Sequence, residues 1–258
     1  MTAPTPRSSS RYGWIPDLPD HRDHIYTVPP VVLAQLPPRV DLRATCPAQI
    51  YDQGKLGSCT ANAIAAAFEF DLKRQALAGF MPSRLFIYYN ERRIEGTVDS
   101  DSGAMLRDGI KSLVKQGVCA EHAWPYDIAK FADQPSKECY GEALANRALA
   151  YQRVPQTLSQ LRGCLAHGYP FVFGFTVYDS FESDEVARTG VVPLPGAGEQ
   201  VLGGHAVLAV GYDDATARFL VRNSWGPDWG QAGYFTMPYA YLTERSLAAD
   251  CWLVAQVA

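Results

Sequence analysis

The stretch Gln53-Gly54-Lys55-Leu56-Gly57-Ser58-Cys59-Thr60-Ala61-Asn62-Ala63 decides how the rest of this 258-residue chain is read. Its cysteine opens an Ala-rich run that predicts a helix over residues 59–78, ended by Gly79. A thiol in the first turn of a helix sits at the positive end of the macrodipole, which favours its thiolate. Gln53 lies upstream, across Gly54 and Gly57, where its amide can reach back as a donor beside that sulfur. Far downstream come Gly203-Gly204-His205-Ala206-Val207 and Arg222-Asn223-Ser224-Trp225-Gly226. A nucleophile, a base and a group to orient the base thus follow one another, each in a sharply marked context. Of the five histidines, His205 alone has two glycines before it and the run Ala-Val-Leu-Ala-Val after it. Small residues there let a substrate backbone come close.

These residues resemble the papain-like cysteine peptidases. The resemblance runs from about Leu36 to the C-terminus and is carried by the Gln53-to-Cys59 stretch, the Gly-His-Ala-Val strand start and the run NSWGPDWGQAGYF. His205 falls within the roughly 130–150 residues expected between nucleophile and base, and Asn223 a little beyond. The family's local signature has a further cysteine upstream of the nucleophile and an aromatic residue after it. This chain has Leu56 and Gly57 upstream and Thr60 downstream, a departure that bears on a disulfide and on subgroup rather than on the nucleophile.

The resemblance implies an α+β fold of two lobes, one helical and one an antiparallel β-barrel-like lobe, with the active-site cleft between them. It implies Cys59 as nucleophile, His205 as general base and acid, Asn223 as the amide that orients the imidazole, and Trp225 as the shield over that bond. Gln53 and the Cys59 backbone N–H would stabilise the oxyanion. Cys59 and His205 would rest as thiolate and imidazolium. The family's Gly-Gly pair, which binds substrate backbone, aligns with Gly103-Ala104. Met105 would line the pocket for the second residue before the scissile bond, and Gly204 would leave that pocket open. The implied reaction is peptide-bond hydrolysis through a thioester, with no cofactor and no metal. The expected partner is a peptide or protein substrate, without nucleic acid or membrane, for a monomeric chain. Two rivals share the scaffold. An acyltransferase or amidase would resolve the same thioester with an amine. A non-catalytic binding protein would normally have lost one of the three residues, and none is lost.

Composition narrows the field. Apolar residues make up 47% of the chain, enough for a sizeable core, and the net charge is −4. Lys and Arg are scattered, which argues against a nucleic-acid or anionic-membrane surface. No apolar run approaches the roughly 20 residues that span a bilayer. The start, MTAPTPRSSSRYGW, has no apolar signal core, so the expectation is a cytoplasmic protein or one whose leader precedes this sequence. Six cysteines occur, none in a CxxC pair. With Cys59 free, five remain, an odd count that cannot all pair internally, and one bridge stays open, for example from Cys119 to Cys139 across a loop. Cys164 shares a helical face with Leu158, Leu161 and Leu165 and reads as a small buried hydrophobe.

Residues 1–38 differ from the rest. They are Pro-rich and without helical periodicity, and residues 1–11 read as disordered. Residues 12–36 carry Tyr12, Trp14, Ile15, Leu18, Ile25, Tyr26 and Val28, too apolar for a solvated tail. They are expected as an extended strap along the body and as a candidate cover for the cleft. The body is residues 39–258, with 39–145 mainly helical and 146–258 mainly strand. Ser83 and Ser102 are the expected caps of two further helices, the second ended by Gly117. Strands are expected over 171–178, 206–212, 219–222 and 233–237, and a short helix over 157–167. Asp20-His21-Arg22-Asp23-His24 lies in the Pro-rich region without a helix to align its imidazoles, so it is not read as a metal site. Asp213-Asp214 reads as a turn.

Overall fold

The computed structural model describes residues 12–257; the expected disorder of residues 1–11 lies outside them. In chain order the elements are β1 (Trp14–Ile15), α1 (Pro30–Leu33), β2 (Arg39–Asp41), α2 (Cys59–Arg74), α3 (Arg84–Glu95), β3 (Ala104–Met105), α4 (Leu106–Lys115), α5 (Lys137–Ala143), β4 (Ala148–Arg153), α6 (Leu158–Ala166), β5 (Phe171–Tyr178), α7 (Asp184–Thr189), β6 (Val201–Asp213), β7 (Arg218–Arg222), β8 (Tyr234–Pro238), α8 (Tyr239–Thr243) and β9 (Ala248–Val257).

Helix α2 is the axis of the molecule. Every side chain from Cys59 to Phe68 is buried, because the helix lies between β6 and β9 on one side and α3 and α4 on the other. Its alanines admit that close approach from all sides. The helix stops at Arg74, earlier than Gly79 suggested, because Ala76 turns into the left-handed region at φ 55°. Ser83 caps α3 as expected, its Oγ accepting the Phe86 N–H at 3.1 Å. Ser102 does not cap α4: the residue at that position is Met105, because Ala104 and Met105 are drawn into pairing with β1.

The seven-stranded sheet runs β4-β9-β5-β6-β7-β8, with β2 also on β6, and all its pairings are antiparallel. The path begins at β4 and ends at β8 without joining, so the lobe is an open curved sheet rather than a closed barrel. Its strands alternate faces as the two-residue period requires. Val172, Ala206, Leu208 and Val210 join α2 in one core, while Phe171, Phe173, Phe175, Val207 and Ala209 face a second core.

The N-terminal segment divides in two. Residues 12–18 run along the cleft, where β1 pairs in parallel with β3, Trp14 opposite Ala104. Residues 25–33 pack on the β lobe. Tyr26 N–H donates to the Arg153 carbonyl at 2.8 Å, Val28 is fully buried, and α1 leans on α6. The segment is therefore not extended throughout: Pro30 opens a short helix. Between the two parts, Asp20 takes the Arg22 guanidinium, and Asp23 pairs with Arg107 and Arg153. All six cysteines are free and buried; the Cys119 and Cys139 thiols are hydrogen-bonded neighbours without a bridge.

Candidate active site

Cys59 is the first residue of α2 and is fully buried. Its sulfur accepts backbone N–H groups of Ala206, Gly13 and Thr60. Ala206 follows His205 in β6, so α2 and β6 bring the thiol to the step of the strand that carries the imidazole. Burial pushes the thiol up to about 12, and those three N–H groups pull it the other way. Burial under residues 12–18 thus opposes the thiolate that the helix start favours.

His205 is fully buried and its Nε2 lies 2.8 Å from Asn223 Oδ1. The same Oδ1 accepts the Ser224 N–H at 2.9 Å, which fixes the oxygen side of the amide. Nε2 therefore carries a proton and donates it to Asn223. Trp225 stacks on the imidazole, ring centroids 5.0 Å apart at 28°. Phe175, Phe181 and Tyr12 enclose the ring further. Aromatic walls keep water from the His205–Asn223 bond and strengthen it.

Gln53 is buried beside these residues. Its Oε1 accepts the Ser224 hydroxyl at 2.7 Å, and its Nε2 donates to the Leu56 carbonyl at 3.0 Å. One N–H of the amide is used there, and the second remains available. Gly103 takes φ 75°, and a Cβ on it would meet the Gly13 oxygen at 2.2 Å. Ala104 donates its N–H to the Gly13 carbonyl at 2.8 Å. Gly204 is tight against the Trp14 carbonyl, since a Cβ there would come within 2.4 Å. Met105 stands one step further out, opposite Ile15, with its N–H on Glu95 Oε1 at 2.7 Å. Residues named from separate parts of the sequence thus lie around one cleft.

Sequence reasoning named residues 12–36 as a candidate cover but not which of them fill this cleft. Tyr12 lies against His205 and Trp225, and its hydroxyl donates to Glu182. Gly13 crosses over Cys59, so close that a Cβ on it would lie 1.6 Å from the Gly57 oxygen. Trp14 enters a pocket floored by Asp250, to which its indole N–H donates at 3.2 Å. Composition showed that this segment binds the body, but no local signal says which of its residues meets which wall.

The model for the papain family of cysteine proteases matches residues 36–251, and the chain belongs to that family: it is a cysteine peptidase acting on peptides or proteins. An uncharacterised peptidase C1-like protein of Acanthamoeba polyphaga mimivirus is 44% identical, over 96% of this chain and 88% of the relative. A cathepsin B-like protein of Giardia intestinalis, CP3, is 32% identical over 80% of this chain and 70% of its own. Among solved structures, xylellain, a cysteine protease from Xylella fastidiosa, is 48% identical with a TM-score of 0.90 and full coverage of both chains.

Proposed function

We propose that this peptidase cleaves through a thioester at Cys59, and that residues 12–18 restrain it by lying across the cleft. His205 takes the proton of the Cys59 thiol as the sulfur attacks the carbonyl carbon of the scissile bond, and the oxyanion that forms is met by the Cys59 N–H and the spare N–H of Gln53. His205 gives a proton to the departing amine as the C–N bond breaks. It then takes a proton from water, whose oxygen attacks the thioester, and passes that proton to the leaving sulfur, which restores the thiol and frees the acid. Asn223 holds the imidazole in position throughout, and Trp225 covers their hydrogen bond. Gly103, Ala104, Gly204 and Met105 line the path of the substrate backbone.

The observation that carries this reading is the hydrogen bond of His205 to Asn223 beneath Trp225, on the strand whose next N–H touches the Cys59 sulfur. The restraint is supported by what Gly13 offers the thiol. Its N–H faces the sulfur while its carbonyl is turned to Ala104. A backbone N–H of the segment thus occupies the space over the thiol that a substrate would need.

Two experiments test this. An epoxide that alkylates activated cysteines should add its mass to Cys59 alone, as read by peptide mass spectrometry. Cys59→Ala should abolish hydrolysis of unstructured peptides with unchanged far-UV circular dichroism; retained turnover would refute the assignment.

A further inference from the structure

The pocket that holds Trp14 belongs to the body, and its shape is specific. A Cβ on Gly174 would lie 1.9 Å from the indole. Glycine at 174 therefore leaves room for a broad flat ring. At the far edge of that ring, Asp250 Oδ2 accepts the indole N–H at 3.2 Å and the Asp17 backbone N–H at 2.8 Å. The other oxygen, Oδ1, is held by Arg153 at 2.8 Å. One oxygen is thus anchored to the body, and the other is turned to whatever fills the pocket. Asp250 is only 3% exposed and takes φ 58°, a conformation that costs most side chains energy.

Trp14 and Asp17 both belong to the segment whose withdrawal is proposed above. When it leaves, Oδ2 loses both donors together and is turned to the vacated pocket, where water or a new donor must replace them. We propose that Asp250 is a specificity residue of this peptidase: the vacated pocket selects a substrate side chain that is broad, flat, uncharged and tipped with a donor, the indole of Trp or the phenol of Tyr. Trp14 is the resident copy of that side chain. Arg153, ion-paired with the same carboxylate, offsets its charge, so the selection is for a donor at the right place rather than for a cation. The inference rests on the peptidase reading for its substrate, but the pocket can be tested without turnover.

The first measurement is the rate at which iodoacetamide labels Cys59, mapped by peptide mass, in four full-length chains: wild type, Trp14→Phe, Asp250→Gly and the double variant. Glycine accepts φ 58° at no steric cost, so only the carboxylate is lost. Trp14→Phe should speed labelling about tenfold when Asp250 is present and about twofold in the Asp250→Gly background, since the smaller ring acts in both and the hydrogen bond in one. Equal ratios in the two backgrounds overturn the proposal. The second measurement is kcat/KM of the full-length Trp14→Ala chain on peptides that differ only in the residue for this pocket. Trp and Tyr should exceed Phe about tenfold, and Asp250→Gly should erase that preference. Phe or Leu equal to Trp, or Arg above Trp, overturns it. Normal labelling with no cleavage of any peptide is instead the failure of the peptidase reading, and the labelling cycle then decides the pocket alone.

Discussion

Residues 12–18 and residues 25–33 are one continuous segment held by polar contact and burial in different proportions. The first part has one buried ring, the Trp14 indole over Gly174, and is otherwise held by directed polar contacts: Tyr12 on Glu182, Gly13 on Ala104, Trp14 on Asp250, and Asp17 on the Arg107 N–H and the Trp252 indole. Its remaining apolar side chains, Ile15 and Leu18, face solvent. The second part is held by burial. Val28 is fully covered against Gly163, and Tyr26 closes over it with its hydroxyl 2.5 Å from His167 Nδ1. A directed contact can be exchanged for water at a net cost of about 0.5–1.5 kcal/mol, whereas buried apolar area has no such substitute. One part is therefore built to lift and the other to stay. The cation pair Arg107 and Arg153, gripping Asp23, marks the boundary between them.

The largest effects test what the first part covers. His205→Ala should lower kcat/KM by at least about a thousandfold, and Asn223→Ala by clearly less, because Asn223 orients the ring while His205 moves the proton. Equal losses, or the reverse order, would remove the assigned roles and with them the reason for a cover. A smaller effect sharpens the contrast from the other side. Val28→Ala deletes fully buried methyl groups at a cost of roughly 2 kcal/mol and should lower the melting temperature by roughly 4–8 °C. It should not speed the labelling of Cys59; faster labelling would mean that the two parts lift together.

The smallest effect concerns pH. Burial first, and the Asp250 carboxylate second, push the Asp17 carboxyl up to about 6, against the Arg107 N–H, the Trp252 indole and the Arg107 charge. Docking then favours the protonated carboxyl. Its contribution is fully present below about pH 4 and is lost as the pH rises through 6. The ratio of Cys59 labelling rates, wild type over Asp17→Asn, should accordingly rise several-fold from pH 4 to pH 7. A flat ratio would show that Asp17 docks ionised.

The same contrast explains what could be read in advance. The residues around Cys59, His205 and Asn223 sit in short glycine-marked stretches, and β5 follows from its own apolar run, so both were legible locally. The end of α2 at Arg74 and the start of α4 at Leu106 were misread. The first turns on one left-handed alanine, and the second on pairing with a segment some ninety residues away. For the N-terminal segment, apolar composition told that it binds, and its prolines that it binds at low entropic cost. Its route was not legible, because the partners of Tyr12, Gly13 and Trp14 come from α2, β3, β6 and β9. Asp250 carried no signal at all: it becomes part of a site only through the indole that reaches it.

The most direct test is a single methyl group. Gly13→Ala places a Cβ where the Gly57 oxygen already lies, 1.6 Å away, and that oxygen belongs to the rigid entry to α2. The body has no room to yield, so residues 12–18 should lift. The full-length variant should label at Cys59 and cleave small peptides about 10- to 100-fold faster than wild type, with its melting temperature nearly unchanged. A variant that is no faster and melts well below wild type would show that this stretch supports the fold instead of covering the site.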